Sequence, residues 1–136
     1  MSTLITATVK SNSSSPPAFQ NTSGTEIGTL CRAWVNFDGT FGTSPFTTGN
    51  GGIRASFNVS SITDNGTGDY TTTFTNALAD ANFCVVFAGS ETVSFGTGSR
   101  VFTAHRTEST TTVRSETVGG NGDAFDAIKY SLAVFR

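Results

Sequence analysis

From Cys31 onward the chain falls into short stretches in which apolar and polar residues alternate with a period of two. "CRAWVNFDG" places Cys31, Ala33, Val35 and Phe37 on one face and Arg32, Trp34 and Asn36 on the other, then stops at a glycine turn, the pattern of a half-buried strand. "IRASFNVS" predicts a second strand with Ile53, Ala55, Phe57 and Val59 inside and Arg54, Ser56, Asn58 and Ser60 outside. In the turn "DNGTGD", Asn65 and Gly66 are the residues suited to positive φ, and "YTTTFT" then turns Tyr70, Thr72 and Phe74 inward. "ANFCVVFAG" is a continuous apolar run of strand length, consistent with a central strand covered on both faces, with a short helix as the alternative that periodicity alone leaves open. "SRVFTAHRTESTTTVRSETV" predicts two strands that turn near Glu108 and Ser109. "AFDAIKYSLAVFR" closes the chain with Ile128, Tyr130, Leu132 and Val134 in alternation. About seven short strands with Gly-rich turns predict an all-β domain over residues 31–136, an antiparallel β-sandwich or a jelly roll.

Residues 1–30 break this pattern. "SNSSSPPAFQNTSGTEIG" is rich in Ser, Asn, Gly and Pro, and Pro16–Pro17 excludes both helix and central strand. An extended N-terminal attachment arm is expected, with Leu4, Ile5, Phe19 and Ile27 as the residues that would dock on a partner. Trp34 faces away from the expected core, and a large aromatic there is expected to pack on a second layer or another subunit. Tyr130, on the C-terminal alternating face, is a further candidate for packing or an interface.

Composition sharpens the reading. The chain of 136 residues suits one core, and only 13% of its residues are charged, against about 25% in a typical domain, so solubility rests on hydroxyls and amides. Little electrostatic repulsion opposes association of copies. A net charge of −2 with dispersed arginines argues against nucleic acid or an anionic membrane as partner. "MSTLITATVK" lacks the signal-peptide pattern, and no apolar run is long enough to cross a bilayer. Cys31 and Cys84 sit in apolar contexts and are expected as buried free thiols.

Candidates for chemistry are few. His105 is the one histidine, so a nucleophile–base pair is hard to assemble and a zinc site lacks its paired ligands. The carboxylates fall mostly in turns, where they cap their own backbone. "DNGTGD" and "NGDAFD" each hold two acids but miss the EF-hand spacing. No enzyme activity, cofactor or metal is expected. The loops at 40–52, 89–99 and 119–124 are the expected seats of contact, with Phe41, Phe46 and Phe95 as aromatic platforms for a sugar or a protein.

"RAWVNFDGT", "IRASFNVSSITDNGTGDYTTTFTN" and "DANFCVVFAG", in that order over residues 30–90, closely resemble the core signature of small β-rich virion appendage proteins of tailed bacteriophages. These proteins, from cyanophages and other marine phages among others, are described as tail-fibre or tail-fibre-like. "FDGTFGTSPFTTGNGG" departs from the shorter turn of that signature. The resemblance implies a homotrimer made in the host cytoplasm and carried on the virion, with the arm bound to other virion proteins and a distal surface facing a host glycan or protein. A short tail fibre or adhesin-like module is the expected function. A capsid decoration, cement or head-fibre protein is the alternative, and a cellular lectin-like domain a third.

Overall fold

Asn58 splits what the alternation reads as one strand. The computed structural model describes residues 19–28, 30–90, 102–119 and 122–136. In it Asn58 adopts a φ of 55° and ends β4 (Ile53–Phe57), after which β5 (Val59–Gly66) continues in a different sheet. Asparagine tolerates the left-handed region better than other residues with a side chain. Its amide is also fully used here, with Nδ2 donating to the carbonyls of Arg32 and Asn76, both at 3.1 Å, and Oδ1 accepting from the Asn76 N–H at 2.8 Å.

The fold is all-β. The chain divides into the units Met1–Leu30 and Cys31–Arg136. The described part of the first is a hairpin of β1 (Phe19–Gln20) and β2 (Glu26–Gly28), with Phe19 50% and Ile27 68% exposed. Residues 19–28 are therefore a closed hairpin and not plain extended chain. The Asn21 side chain closes it by accepting from the backbone N–H groups of Ser23 and Thr25. Leu4 and Ile5 lie outside the described residues.

The second unit also holds β3 (Cys31–Phe37), β6 (Asp69–Phe74), β7 (Cys84–Ser90), β8 (Phe102–Glu108), β9 (Thr112–Val118) and β10 (Lys129–Phe135). They form two antiparallel four-stranded sheets, ordered β4-β3-β10-β7 and β5-β6-β9-β8. The inner faces meet in one core. Ala33, Val35, Phe37, Tyr130, Leu132 and Val134 come from the first sheet, and Ile62, Tyr70, Thr72, Phe74 and Val113 from the second. At its centre Tyr70 meets Phe37 edge-on at 5.1 Å, and Tyr130 lies 4.7 Å from Phe37 and 5.6 Å from Tyr70, within the range in which aromatic pairs attract.

Three local expectations are corrected. The pairing of β3 with β4 shifts between Asn36 and Phe37, so that Ile53 still faces the core while Ala55 and Phe57 face outward beside Asn36 and Trp34. A bulge of one residue moves everything beyond it to the opposite face. The apolar run of β7 is an edge strand, and the C-terminal β10 is central. In the "DNGTGD" turn, positive φ falls on Gly66 and Gly68, not on Asn65, whose side chain instead donates to Asp69 and Thr71.

One end of the sandwich is closed by a polar clamp. The Tyr70 hydroxyl donates to Asp126 Oδ1 at 2.6 Å, and the same oxygen accepts from the Gly68 N–H at 2.7 Å. Gly39 donates its N–H to the Ala127 carbonyl at 2.8 Å. Three separate segments are thereby pinned together at residues 39, 68–70 and 126–127.

Both tyrosines of the chain are fully buried, and burial pushes both phenols up. Tyr70 is held well above the ordinary value, first by desolvation and then by its bond to the Asp126 carboxylate. Tyr130 is pushed up to about 12 by desolvation, opposed by the nearby hydroxyls of Ser115 and Thr117. Neither hydroxyl closes a hydrogen bond with it. Unfolded tyrosines ionise near pH 10, so above that pH the unfolded chain releases protons that the folded chain keeps. The tyrosine contribution is thus fully present below about pH 10 and is lost as pH rises toward 12. The expected result is that tyrosinate absorbance does not follow a free phenol but rises together with loss of circular dichroism. Normal titration of both phenols in a chain that stays folded would contradict their burial.

Candidate interaction face

The bulge in β4 and the edge position of β7 together build a feature that the alternation does not show. Neighbouring outward side chains on the first sheet line up in rows across its strands. One row runs Phe57, Trp34, Ala133, Val86, and the next runs Ala55, Asn36, Ser131, Ala88. Phe57, Trp34 and Val86 are 54%, 39% and 53% exposed. Ala133, small and set between Trp34 and Val86, makes the floor of a shallow groove of about 350 Å³. Its polar members, Asn36 and Ser131, satisfy each other through an Nδ2–H to Oγ bond of 2.8 Å. Neither row contains a charged side chain. Charge begins at the strand ends, with Arg32 two residues before Trp34 on β3, and at the opposite end with Arg54 bonded to Asp38 and the Phe37 carbonyl and with the exposed Lys129 on β10.

Such a face has no equipment for covalent chemistry and suits contact by burial. Clustered apolar side chains in a neutral field mark interaction sites on soluble proteins. The outward face of the second sheet differs. It carries the bidentate pair of Arg114 with Asp69, at 2.9 and 2.7 Å, among threonines and serines.

The sequence-predicted site residues separate. Trp34 lies at the centre of the face. Tyr130 sits on the same strand as Ala133 but points into the core, so its role is packing. Phe46 is a correction: it is fully buried, not a loop platform, and exchanges backbone hydrogen bonds with Ile62 at 2.7 and 3.0 Å. Phe41 is half-buried with its ring edge-on to Phe46 at 5.6 Å. The loop at 40–52 thus feeds its aromatics to the core because a phenylalanine within reach of an unfilled end of the sandwich gains more from burial than from water. Phe95 lies outside the described residues, and Phe19 and Ile27 are exposed on the hairpin.

Sequence reasoning missed Phe57, Val86 and Ala133. Phe57 was hidden by the bulge. Val86 was hidden by reading an apolar run as doubly covered, though an exposed apolar face awaiting a partner gives the same run.

The thiols are corrected as well. Both are free, but Cys84 is exposed at the end of the face and Cys31 is half-buried. Both pair with Phe135 of β10, from opposite sides. Two strand spacings place their Cα atoms roughly 10 Å apart, beyond the reach of a disulfide within the chain.

The carboxylates of the two acidic turns serve local structure. Asp64 accepts from the Gly66 N–H at 2.9 Å and Asp126 holds the clamp. Among the described residues no cluster of three or more His, Cys, Asp or Glu could hold a metal, and no helix is long and apolar enough to cross a membrane.

The fold and this face define a two-sheet antiparallel β-sandwich that presents a neutral apolar surface. No family profile matches the chain, and no curated protein is similar to it in sequence. Among solved structures it is similar to the phiAB6 tailspike, a phage tailspike determined in complex with three-repeated oligosaccharides of Acinetobacter baumannii surface polysaccharide. The TM-score is 0.51 at 14% identity, and the match covers 97% of this chain and 30% of the tailspike chain. The likeness is one of fold, and the chain spans under a third of that tailspike's length.

Proposed function

We propose that this chain is a non-enzymatic virion module of a tailed bacteriophage, a short tail-fibre or adhesin-like β-sandwich that works as a homotrimer and contacts the host surface. The observation that carries the reading is the likeness of nearly the whole chain to part of a tailspike. The low charge is consistent with it, since it leaves association of copies electrostatically inexpensive.

The test is the place of the protein in purified particles. Separated tails are expected to contain it at a copy number matching tail symmetry, and added purified protein is expected to slow adsorption of the phage to its host. A copy number matching capsid subunits, with adsorption unchanged, would transfer the protein to the decoration class. Its absence from particles would end both readings.

A further inference from the structure

We propose that the outer face of the β4-β3-β10-β7 sheet is where copies of this chain meet, the β4/β3 half of one copy lying against the β10/β7 half of the next, with Trp34 of one over Ala133 of the other. The inference rests on the homo-oligomeric part of the reading above and names the surface that would carry it.

The cross-strand register points to a second copy as the occupant. Consider a symmetry axis parallel to the strands and passing over the boundary between β3 and β10. Such an axis keeps each row level and brings the two halves of the face together. Trp34 then comes opposite Ala133 and Phe57 opposite Val86. In the next row Asn36 comes opposite Ser131 and Ala55 opposite Ala88. The largest side chain meets the groove floored by the smallest, and the polar pair meets a polar pair. About a two-fold axis this pairing is reciprocal, and about a three-fold axis it becomes a head-to-tail contact in which one half of each copy meets the other half of the next and the ring closes.

Charge gives the same answer. Like charges meet wherever a charged residue lies near a symmetry axis, and the two central rows have none. Four strands about 4.8 Å apart and six residues of about 3.4 Å make a face of roughly 400 Å² in plan, the size of patch that marks contact sites. About a three-fold axis each copy divides this face between two neighbours.

The test uses the full chain and three variants: Trp34→Glu, Ala133→Glu and, as control, Thr63→Glu, at an exposed position of the other sheet. Folding is checked by circular dichroism and melting. Mass is read by sedimentation velocity over a concentration series, and Cys84 accessibility by maleimide labelling with peptide mapping. The wild type and Thr63→Glu are expected to be trimers in which Cys84 is protected. Trp34→Glu and Ala133→Glu are expected to be folded monomers with Cys84 open. Should either glutamate prevent folding, Trp34→Ala is expected to weaken association by about thirty-fold or more, the loss typical of a central interface tryptophan.

A dimer that the glutamates dissolve would keep this contact and overturn the trimer. An oligomer that survives both glutamates would overturn the contact. So would a monomeric wild type, whether Cys84 is open or is covered by the chain's own residues 1–30. None of these results depends on where the protein sits in a particle, so failure here is distinct from failure of the virion assignment.

Discussion

Phe46→Ala is expected to destabilise the domain by about 3–5 kcal/mol, the range for removing a buried phenylalanine. The ring is fully enclosed, with its centroid 6.0 Å from Phe37, 6.3 Å from Tyr70 and 5.6 Å from Phe41. Collapse cannot fill the hole cheaply, because Gly52 lies directly behind: a Cβ there would fall 2.7 Å from the Phe46 Cβ and 2.8 Å from the Phe41 ring. The backbone at residue 46 is also held by its paired bonds to Ile62, so the loop cannot simply shift inward. With a whole domain worth about 5–15 kcal/mol, the loss would leave little margin. Denaturant unfolding measures it, with Phe41→Ala as a milder comparison because that ring is only half-buried. A Phe46→Ala protein with unchanged stability and altered host adsorption would restore the loop-platform role that the structure removes.

Gly68→Ala should be nearly as damaging, at about 2–5 kcal/mol, although it adds a single methyl group. Two independent costs combine. Gly68 has a φ of 70°, where a residue with a Cβ loses about 1–2 kcal/mol. The Cβ would also stand 2.6 Å from the Thr117 carbonyl oxygen and 2.9 Å from that of Phe125, and relieving such an overlap costs about 1–3 kcal/mol. Both obstructing atoms are backbone, so neither can rotate away. Moving them strains the clamp, in which Gly68 accepts from the Thr117 N–H at 2.7 Å and donates to Asp126 at 2.7 Å. The neighbouring Gly66 provides the contrast. Its φ is also positive, at 136°, but no atom lies within 4 Å of an added Cβ, so Gly66→Ala carries only the conformational part. Equal melting of the two variants would mean that the close approach at Gly68 is unimportant.

Much of the scaffold was legible in the residues. Alternation at 31–37, 70–74 and 130–134 is a local property, because side chains on a strand point to opposite faces whatever the strand pairs with. Ala33, Val35 and Phe37, then Tyr70, Thr72 and Phe74, and then Tyr130, Leu132 and Val134 accordingly lie inside. The all-β class, the antiparallel sandwich and the turn after Glu108 follow from the same periodicity and its breaks.

The face itself was only half legible. Trp34 stood out, since one large aromatic on a polar-side position conflicts with the pattern around it. Its neighbours did not, because each depends on something outside its own strand. The bulge that turns Phe57 outward is a mismatch between β3 and β4 and exists in neither alone. Whether "ANFCVVFAG" lies at a sheet's centre or its edge depends on which strands pair, and this is decided by long-range burial with no local mark. Phe46 and Phe41 likewise occupy a Gly- and Thr-rich loop that reads as exposed. Only the open end of the assembled sandwich draws them in. Periodicity thus determined which side chains leave each strand on the same side, because that is fixed by backbone geometry. Tertiary structure alone decided which of those sides met the core and which were left facing outward, because sheet order and register are set by the burial of the whole chain at once.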